Sequence, residues 1–237
     1  MRRFPIIFFL ALTLNGFAQE QFLRLPQADD TSSESIRNAP LYGKKVIVFG
    51  DSYVQNAGRP IEETWHYKLA EKYNMEYHNW GRNGNCIAYE WRTGLFGLPM
   101  HERYTELPDI KADYIIVIGG HNDAVLMHRY GVGTEYFRSR LGVLCAGLKR
   151  KYPSAIICFV TPWPVPQPMY RETARSMLEI CGSYAIPVFD AFHHSGLPLL
   201  FRLVRQRYFQ SADDVAHLND KGHDAVLPRM EHFLLSL

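Results

Sequence analysis

Four short blocks hold the residue types from which a nucleophilic centre can be built. Gly50-Asp51-Ser52 follows one β-branched run, and Gly81-Arg82-Asn83-Gly84 follows a second short segment. Gly119-Gly120-His121-Asn122-Asp123 follows a third, and Asp214-Val215-Ala216-His217 stands near the C-terminus, before Leu218-Asn219 and Gly222-His223. A hydroxyl, an imidazole and a carboxylate together suit acyl transfer. The hydroxyl attacks a carbonyl, the imidazole moves its proton, and the carboxylate orients the imidazole. Ser52, at a strand-to-helix turn, is the candidate nucleophile. His217 is the candidate base, because an imidazole titrates near neutrality, and activity is then expected to fall below about pH 6. Asp214, three residues earlier, is the candidate orienter, with Asp213 as its competitor. The Ser52 and Gly81 backbone N–H groups and the Asn122 amide are candidate donors to an oxyanion, and Gly81 leaves room for a carbonyl to approach.

Each residue also has a plainer reading. Ser52 suits a helix N-cap, Asp51 a structural hydrogen bond in the turn, Asn122 and Asp123 turn positions, and His217 the packing of the last helix. His101-Glu102 begins a zinc-protease pattern but Thr105 stands where the second histidine belongs. His193-His194 has no further ligand at useful spacing. The acyl-transfer chemistry requires no metal and no organic cofactor.

These blocks need elements to position them. Apolar runs at 45–49, 75–79, 114–118, 155–160 and 187–189 predict five strands, the inner ones continuous enough for burial on both faces. Helical patterns fall at 61–73, 134–152, 170–184 and 219–235. Residues 91–110 mix glycine, proline and aromatics without a period and read as a loop excursion, and the four prolines between 162 and 168 stiffen another loop. Alternating strands and helices predict an α/β domain with a mostly parallel sheet. Ligands of such sheets bind beyond the carboxyl ends of the strands. The first three blocks fall there, and all four can face one rim.

With these blocks in this order, from about residue 45 to the C-terminus, the chain resembles the SGNH hydrolases, the superfamily of GDSL esterases and lipases. The resemblance implies a flavodoxin-like three-layer α/β/α sandwich with a five-stranded parallel sheet. It implies Ser52 as nucleophile, Gly81 and Asn122 in the oxyanion hole, and Asp214 with His217 completing a triad. Two positions depart from the commonest pattern: Asn83 stands where a small Ser or Ala is frequent, and His121 fills the free position before Asn122. His121 either lines the pocket or points outward, the second being the favoured reading. The implied activity is hydrolysis of carboxylic esters through an acyl-enzyme, with short-acyl, O-acetyl carbohydrate esters first among the substrates. A lipid ester hydrolase of lysophospholipase or thioesterase type and a non-catalytic glycan-binding member are the alternatives. Trp91, Phe96, Trp163 and Tyr170 could wall a sugar or an acyl chain, although burial is the favoured reading for any one of them. No lid-like amphipathic helix is evident.

Composition bounds the rest. The chain has 237 residues, 47% of them apolar, which excludes a disordered chain. Lys+Arg is 26 against 24 Asp+Glu, a balance that argues against a nucleic-acid partner held through phosphates. Arg2-Arg3, the apolar run 4–14 and Gly16-Phe17-Ala18 form a secretory signal pattern over 1–18. Its run is too short to span a bilayer. The expectation is therefore an exported protein, periplasmic or extracellular, with no stable membrane insertion after cleavage. A polar lead-in is expected over 19–43 and the hydrolase domain over 44–237. Removing 1–18 removes two arginines and no acid, which leaves no formal charge. Export permits disulfides. Cys86, Cys145, Cys158 and Cys181 match no metal spacing. Cys145 and Cys158 read as buried thiols, and one disulfide of unassigned pairing stays open, as does the oligomeric state.

Overall fold

Five short runs rich in β-branched and aromatic residues pair into one sheet: β1 (Lys45–Gly50), β2 (Glu76–Gly81), β3 (Tyr114–Ile118), β4 (Ile156–Val160) and β5 (Val188–Phe189). The computed structural model describes residues 29–91 and 95–237, so the signal pattern read at 1–18 lies outside the described residues. The sheet order is β2-β1-β3-β4-β5, and every pair is parallel. In register, Phe49 sits between Trp80 and Val117, and Gly50 between Gly81 and Ile118. The carboxyl ends of β2, β1 and β3 therefore finish level. This is the strand order of flavodoxin-like doubly wound sheets, whose ligand crevice opens between β1 and β3.

Side chains alternate across the sheet. Ile47, Phe49, Ile115, Val117, Ile157 and Phe159 pack in one buried cluster with Met127, Phe137, Leu141, Leu144, Leu148 and Met177. The second group comes from the helices α5 (His121–Tyr130), α6 (Glu135–Lys151) and α7 (Tyr170–Ser183). Val46, Val48 and Cys158 are buried on the alternate positions. There α3 (Trp65–Lys72) packs on the closing helix α10 (Asp220–Leu235). Each such aliphatic or aromatic side chain contributes roughly 1.5–3 kcal/mol when fully buried, so the sheet is the rigid frame of the molecule.

Residues Ala39–Leu237 form one compact unit, and α1 (Asp29–Arg37) belongs to the segment before it. The predicted strands are present with ends shifted by a residue or two, and β2 runs two residues further than expected, to Gly81. The helix expected over 61–73 is broken at Thr64. Its backbone is extended there (φ −74°, ψ 145°) and its hydroxyl caps α3 by accepting from the Tyr67 N–H. A 3-10 turn (Ile61–Glu63) precedes the break. The excursion at 91–110 contains a short helix α4 (Met100–Arg103) and a 3-10 turn (Tyr104–Glu106). The helix expected after the turn at Ser52 is the single turn α2 (Ser52–Gln55), and three further helices were not anticipated: α5, α8 (Ala191–His194) and α9 (Arg202–Tyr208). All four cysteines are buried free thiols, with Cys145 Sγ and Cys181 Sγ 3.8 Å apart between α6 and α7.

Candidate active site

The site starts where β1 ends. Gly50 cannot carry a side chain, because a Cβ there would strike the Ile118 carbonyl of β3 and the Val54 side chain. Asp51 then turns the chain into α2. Its Oδ1 accepts the Tyr53 N–H at 2.9 Å, and its carbonyl accepts from Val54 and Gln55. Ser52 is thereby the first residue of α2, where an N–H has no acceptor within the helix. Gly81 ends β2 beside this turn, and a Cβ there would strike the Gln55 backbone nitrogen. The two glycines thus allow the turn to press against both neighbouring strands.

The loop between α9 and α10 brings the other partners. His217 Nε2 lies 3.0 Å from Ser52 Oγ, and His217 Nδ1 lies 2.9 Å from Asp214 Oδ2. Asp214 Oδ1 also accepts the Ala216 and His217 N–H groups at 2.7 and 2.9 Å. Burial raises the Asp214 carboxyl, but these hydrogen bonds from His217 and Ala216 outweigh it and hold the group below the usual carboxylate range. Asp213, the competing orienter, is exposed. The loop is anchored by a lone antiparallel bridge between Phe209 and Leu218, by the Gln210 N–H on the His217 carbonyl at 2.9 Å, and by Trp163 Nε1 on the Ala216 carbonyl at 3.0 Å.

The third block supplies Asn122 at the first turn of α5. Its Nδ2 donates to the Asn85 carbonyl at 2.9 Å and lies 3.4 Å from Asp51 Oδ2. The Gly81 N–H donates to Asn79 Oδ1 at 2.9 Å. Both candidate donors therefore have acceptors of their own in this state. Asp123 is fully buried and accepts the Ile87 and Ala88 N–H groups, each at 2.8 Å, which fixes the loop after β2. Burial raises the Asp51 carboxyl to about 7 and the Asp123 carboxyl to about 6.

His121 faces inward, contrary to the favoured reading. Its Nδ1 is 3.0 Å from the hydroxyls of both Tyr53 and Tyr170. Burial, with His217 nearby, lowers it to about 4, so it is a neutral hydrogen-bonding partner of the two tyrosines. Tyr53 in turn stacks on Trp163 at 5.3 Å and meets His217 edge-on at 6.5 Å. Trp163 and Tyr170 are buried and brace the site from beneath; Trp91 and Phe96 pair at 5.4 Å and are half-buried. The cavity that Ser52 and His217 line, with Tyr53, Asn56, Trp163 and Leu218, is small, with about 10 Å³ open to a water-sized sphere.

One supporting residue escaped the sequence reading altogether. Arg103 of α4 is buried and donates to the Gly50 carbonyl at 2.9 Å, the Trp80 carbonyl at 3.2 Å and Asn85 Oδ1 at 3.0 Å. It also covers the Phe49 ring at 4.4 Å. It thus ties together the ends of β1 and β2 and the Asn85 loop, and burial lowers its guanidinium to about 10. Its only visible signal was a basic residue next to the failed zinc pattern. His193 Nδ1 pairs with Asp190 Oδ2 at 2.7 Å in α8. Among the described residues no group of three or more His, Cys, Asp or Glu side chains could hold a metal.

No curated protein matches the chain significantly. Among solved structures, the chain is similar to a protein from Lactobacillus plantarum at 22% identity and a TM-score of 0.69, covering 82% of this chain and 98% of the other. It is similar to a member of the lipolytic protein G-D-S-L family from Veillonella parvula at 15% identity and a TM-score of 0.58, covering 81% and 99%. The psychrotrophic esterase EstA from a Pseudoalteromonas species matches at 15% identity and a TM-score of 0.59, covering 81% and 97%. At these identities the likeness establishes the fold. A model of the GDSL-like Lipase/Acylhydrolase family matches residues 48–225, a span that includes Ser52, Gly81, Asn122, Asp214 and His217. This chain belongs to that family, the GDSL-like lipases and acylhydrolases, and is an ester-bond hydrolase.

Proposed function

We propose that the protein is an exported serine esterase that cleaves short-acyl esters, O-acetyl groups on carbohydrates first among them. The observation that carries the reading is the continuous line from Ser52 Oγ to His217 Nε2 (3.0 Å) and from His217 Nδ1 to Asp214 Oδ2 (2.9 Å). In this reading Ser52 Oγ attacks the ester carbonyl carbon as its proton passes to His217 Nε2. The carbonyl oxygen becomes an oxyanion facing the Ser52 N–H and the Asn122 amide, with Gly81 as the third donor. His217 then gives its proton to the departing alcohol, which leaves an acyl group on Ser52. Water, deprotonated by His217, attacks that ester, and His217 returns the proton to Ser52 Oγ as the acid leaves. Asp214 keeps the imidazole oriented and stabilises its charged form.

The donors imply an adjustment on binding. The oxyanion must compete with Asn85 for the Asn122 amide and with Asn79 for the Gly81 N–H. The Ser52 N–H, at the start of α2, is ready for it. Of the aromatics considered for sugar contact, the half-buried Trp91 and Phe96 are better placed than the buried Trp163 and Tyr170.

The test is hydrolysis of p-nitrophenyl esters from acetate to decanoate by residues 19–237 and by the Ser52→Ala variant. The expected result is a preference for acetate that the variant abolishes. A preference for long chains would contradict the short-acyl assignment, and equal activity of the two proteins would remove Ser52 as nucleophile.

A further inference from the structure

The segment that leads into the Asp214–His217 loop has an unusual surface. Leu200, Phe201 and Leu203 are 75%, 64% and 79% exposed. The helix that follows, α9, has no buried residue and carries Arg202, Arg205 and Arg207. No acidic residue stands between 191 and 212. Arg205 is spent on structure: it donates to the Ala212 carbonyl at 2.9 Å and to the Leu199 carbonyl, which closes the turn. Arg202 and Arg207 are exposed, and the exposed Arg229 lays its guanidinium against Gly196. Three exposed apolar side chains thus share one short segment with two exposed arginines, and Arg229 lies against Gly196, four residues before Leu200.

We infer that this segment docks the protein on an anionic lipid surface, with Leu200, Phe201 and Leu203 entering the interface and Arg202, Arg207 and Arg229 meeting the headgroup phosphates. Exposed apolar side chains clustered this way mark an interaction site, and the arginines select a negatively charged partner. A second copy of the chain is a poor occupant, because a two-fold contact of this patch with itself would set arginine against arginine. The patch is also small. Three such side chains bury roughly 500 Å², short of the ~800 Å² per partner of a stable protein interface. A fluid lipid surface needs no complementary shape. Contact is peripheral, since no described helix is long and apolar enough to cross a membrane.

The position gives the docking a consequence. The segment joins the His217 loop through the Phe209–Leu218 bridge and the Gln210 N–H on the His217 carbonyl. A docked protein would hold that loop against the surface, beside esters borne there. The inference rests on exposure and charge and does not depend on the catalytic roles assigned above.

Co-sedimentation with vesicles tests it. Residues 19–237 are used, so that the apolar run at 4–14 does not itself bind lipid; the compact unit from Ala39 onward is intact in this protein. Vesicles of phosphatidylcholine alone are compared with vesicles containing roughly one third phosphatidylglycerol, where ~tenfold more protein should pellet at low salt and the excess should vanish at high salt. Leu200→Ser/Leu203→Ser and Arg202→Gln/Arg207→Gln should each abolish most of the excess, while turnover of soluble p-nitrophenyl acetate, the check on folding, stays unchanged. If the leucine pair misfolds, the arginine pair and the salt dependence decide. Absence of pelleting, or pelleting untouched by the arginine pair, would overturn the proposal. So would a wild-type dimer that the leucine pair dissociates, which would make a second copy the occupant.

Discussion

Ser52 follows the inner strand β1, whose backbone is paired along its length with β2 on one side and β3 on the other. His217 sits in a loop between two helices, held by an isolated bridge and by scattered hydrogen bonds, among them the Gln210 N–H on the His217 carbonyl and Trp163 Nε1 on the Ala216 carbonyl. The nucleophile's side is thus fixed by the same interactions that fix the fold. Around it lie buried polar groups that must all be satisfied: Asp51, Asp123, Arg103 and Asn85. The base's side is fixed locally, by Asp214 on the imidazole and by Trp163 beneath the Ala216 carbonyl. Damage on the first side should therefore appear as lost stability, and damage on the second as lost turnover.

The largest effect is expected at Asn122, which belongs to the Ser52 side and is the proposed side-chain donor to the oxyanion. Asn122→Ala should lower kcat ~10²–10³-fold. Steady-state kinetics on p-nitrophenyl acetate checks this, and turnover within about threefold of wild type would remove Asn122 from the oxyanion hole.

Arg103→Met sharpens the contrast. It removes the Arg103 donor from the Gly50 and Trp80 carbonyls and from Asn85 Oδ1, although the Gly50 carbonyl keeps the Arg82 N–H at 3.0 Å. Hydrogen bonds to a charged donor contribute ~1.5–3 kcal/mol each, so unfolding in urea should show a loss of about 3 kcal/mol or more. Trp163→Phe makes the converse test. It removes the indole bond to the Ala216 carbonyl and part of the ring on which Tyr53 stacks, and should cost about 1–3 kcal/mol of stability while slowing turnover ~tenfold through a looser His217. If Trp163→Phe proved the more destabilising and Arg103→Met the more harmful to kcat alone, the division between the two sides would be wrong.

What the sequence disclosed follows the same division. The strand-end blocks were readable because each is local: a buried apolar run, a glycine forced by close approach, then a polar residue at the rim. Asp214 and His217 were readable from a three-residue spacing that lets one side chain reach the other. The support beneath them was not readable. Arg103 reaches the Gly50 carbonyl across 53 positions of sequence, from a segment with no period. His121 faced inward because Tyr53 and Tyr170, far apart in the chain, converge on it. Thr64 broke a helix by capping the next one. The α9 segment was missed because none of its residues is buried, so no amphipathic stripe marks it.

Acid offers the gentlest probe. His66 and His223 are lowered by burial to about 3, and His121 to about 4. Below the ordinary histidine range the unfolded chain binds protons that the folded one refuses, so the stability from these groups is full above about pH 6.5 and drains as pH falls. Asp51 and Asp123, raised to about 7 and about 6, act in the opposite sense, since the folded chain holds their protons and loses stability as pH rises from about 4. Asp214, held low, loses its contribution only below the usual carboxylate range. With His101 also held low by burial, the histidines outnumber the two aspartates, so unfolding takes up protons between about pH 4 and pH 6. Stability should rise with pH across that window. His66 and His223 touch the Tyr53 carbonyl and Asn56 of the nucleophile's turn, so amide exchange on acidification should quicken first around 51–56. A flat or falling stability curve, or exchange quickening first around 213–218, would contradict this.

The central claim is that Ser52 and His217 act as one nucleophilic unit although two different kinds of structure hold them. An activated phosphonate ester captures an activated serine hydroxyl covalently, so the most direct measurement is intact-protein mass after reaction with an activated ethyl phosphonate ester. The account predicts one phosphonyl group on wild type, mapped to Ser52, none on Ser52→Ala, and labelling slowed by at least ~10³-fold in His217→Ala. A label on another residue, or labelling of His217→Ala at the wild-type rate, would contradict it.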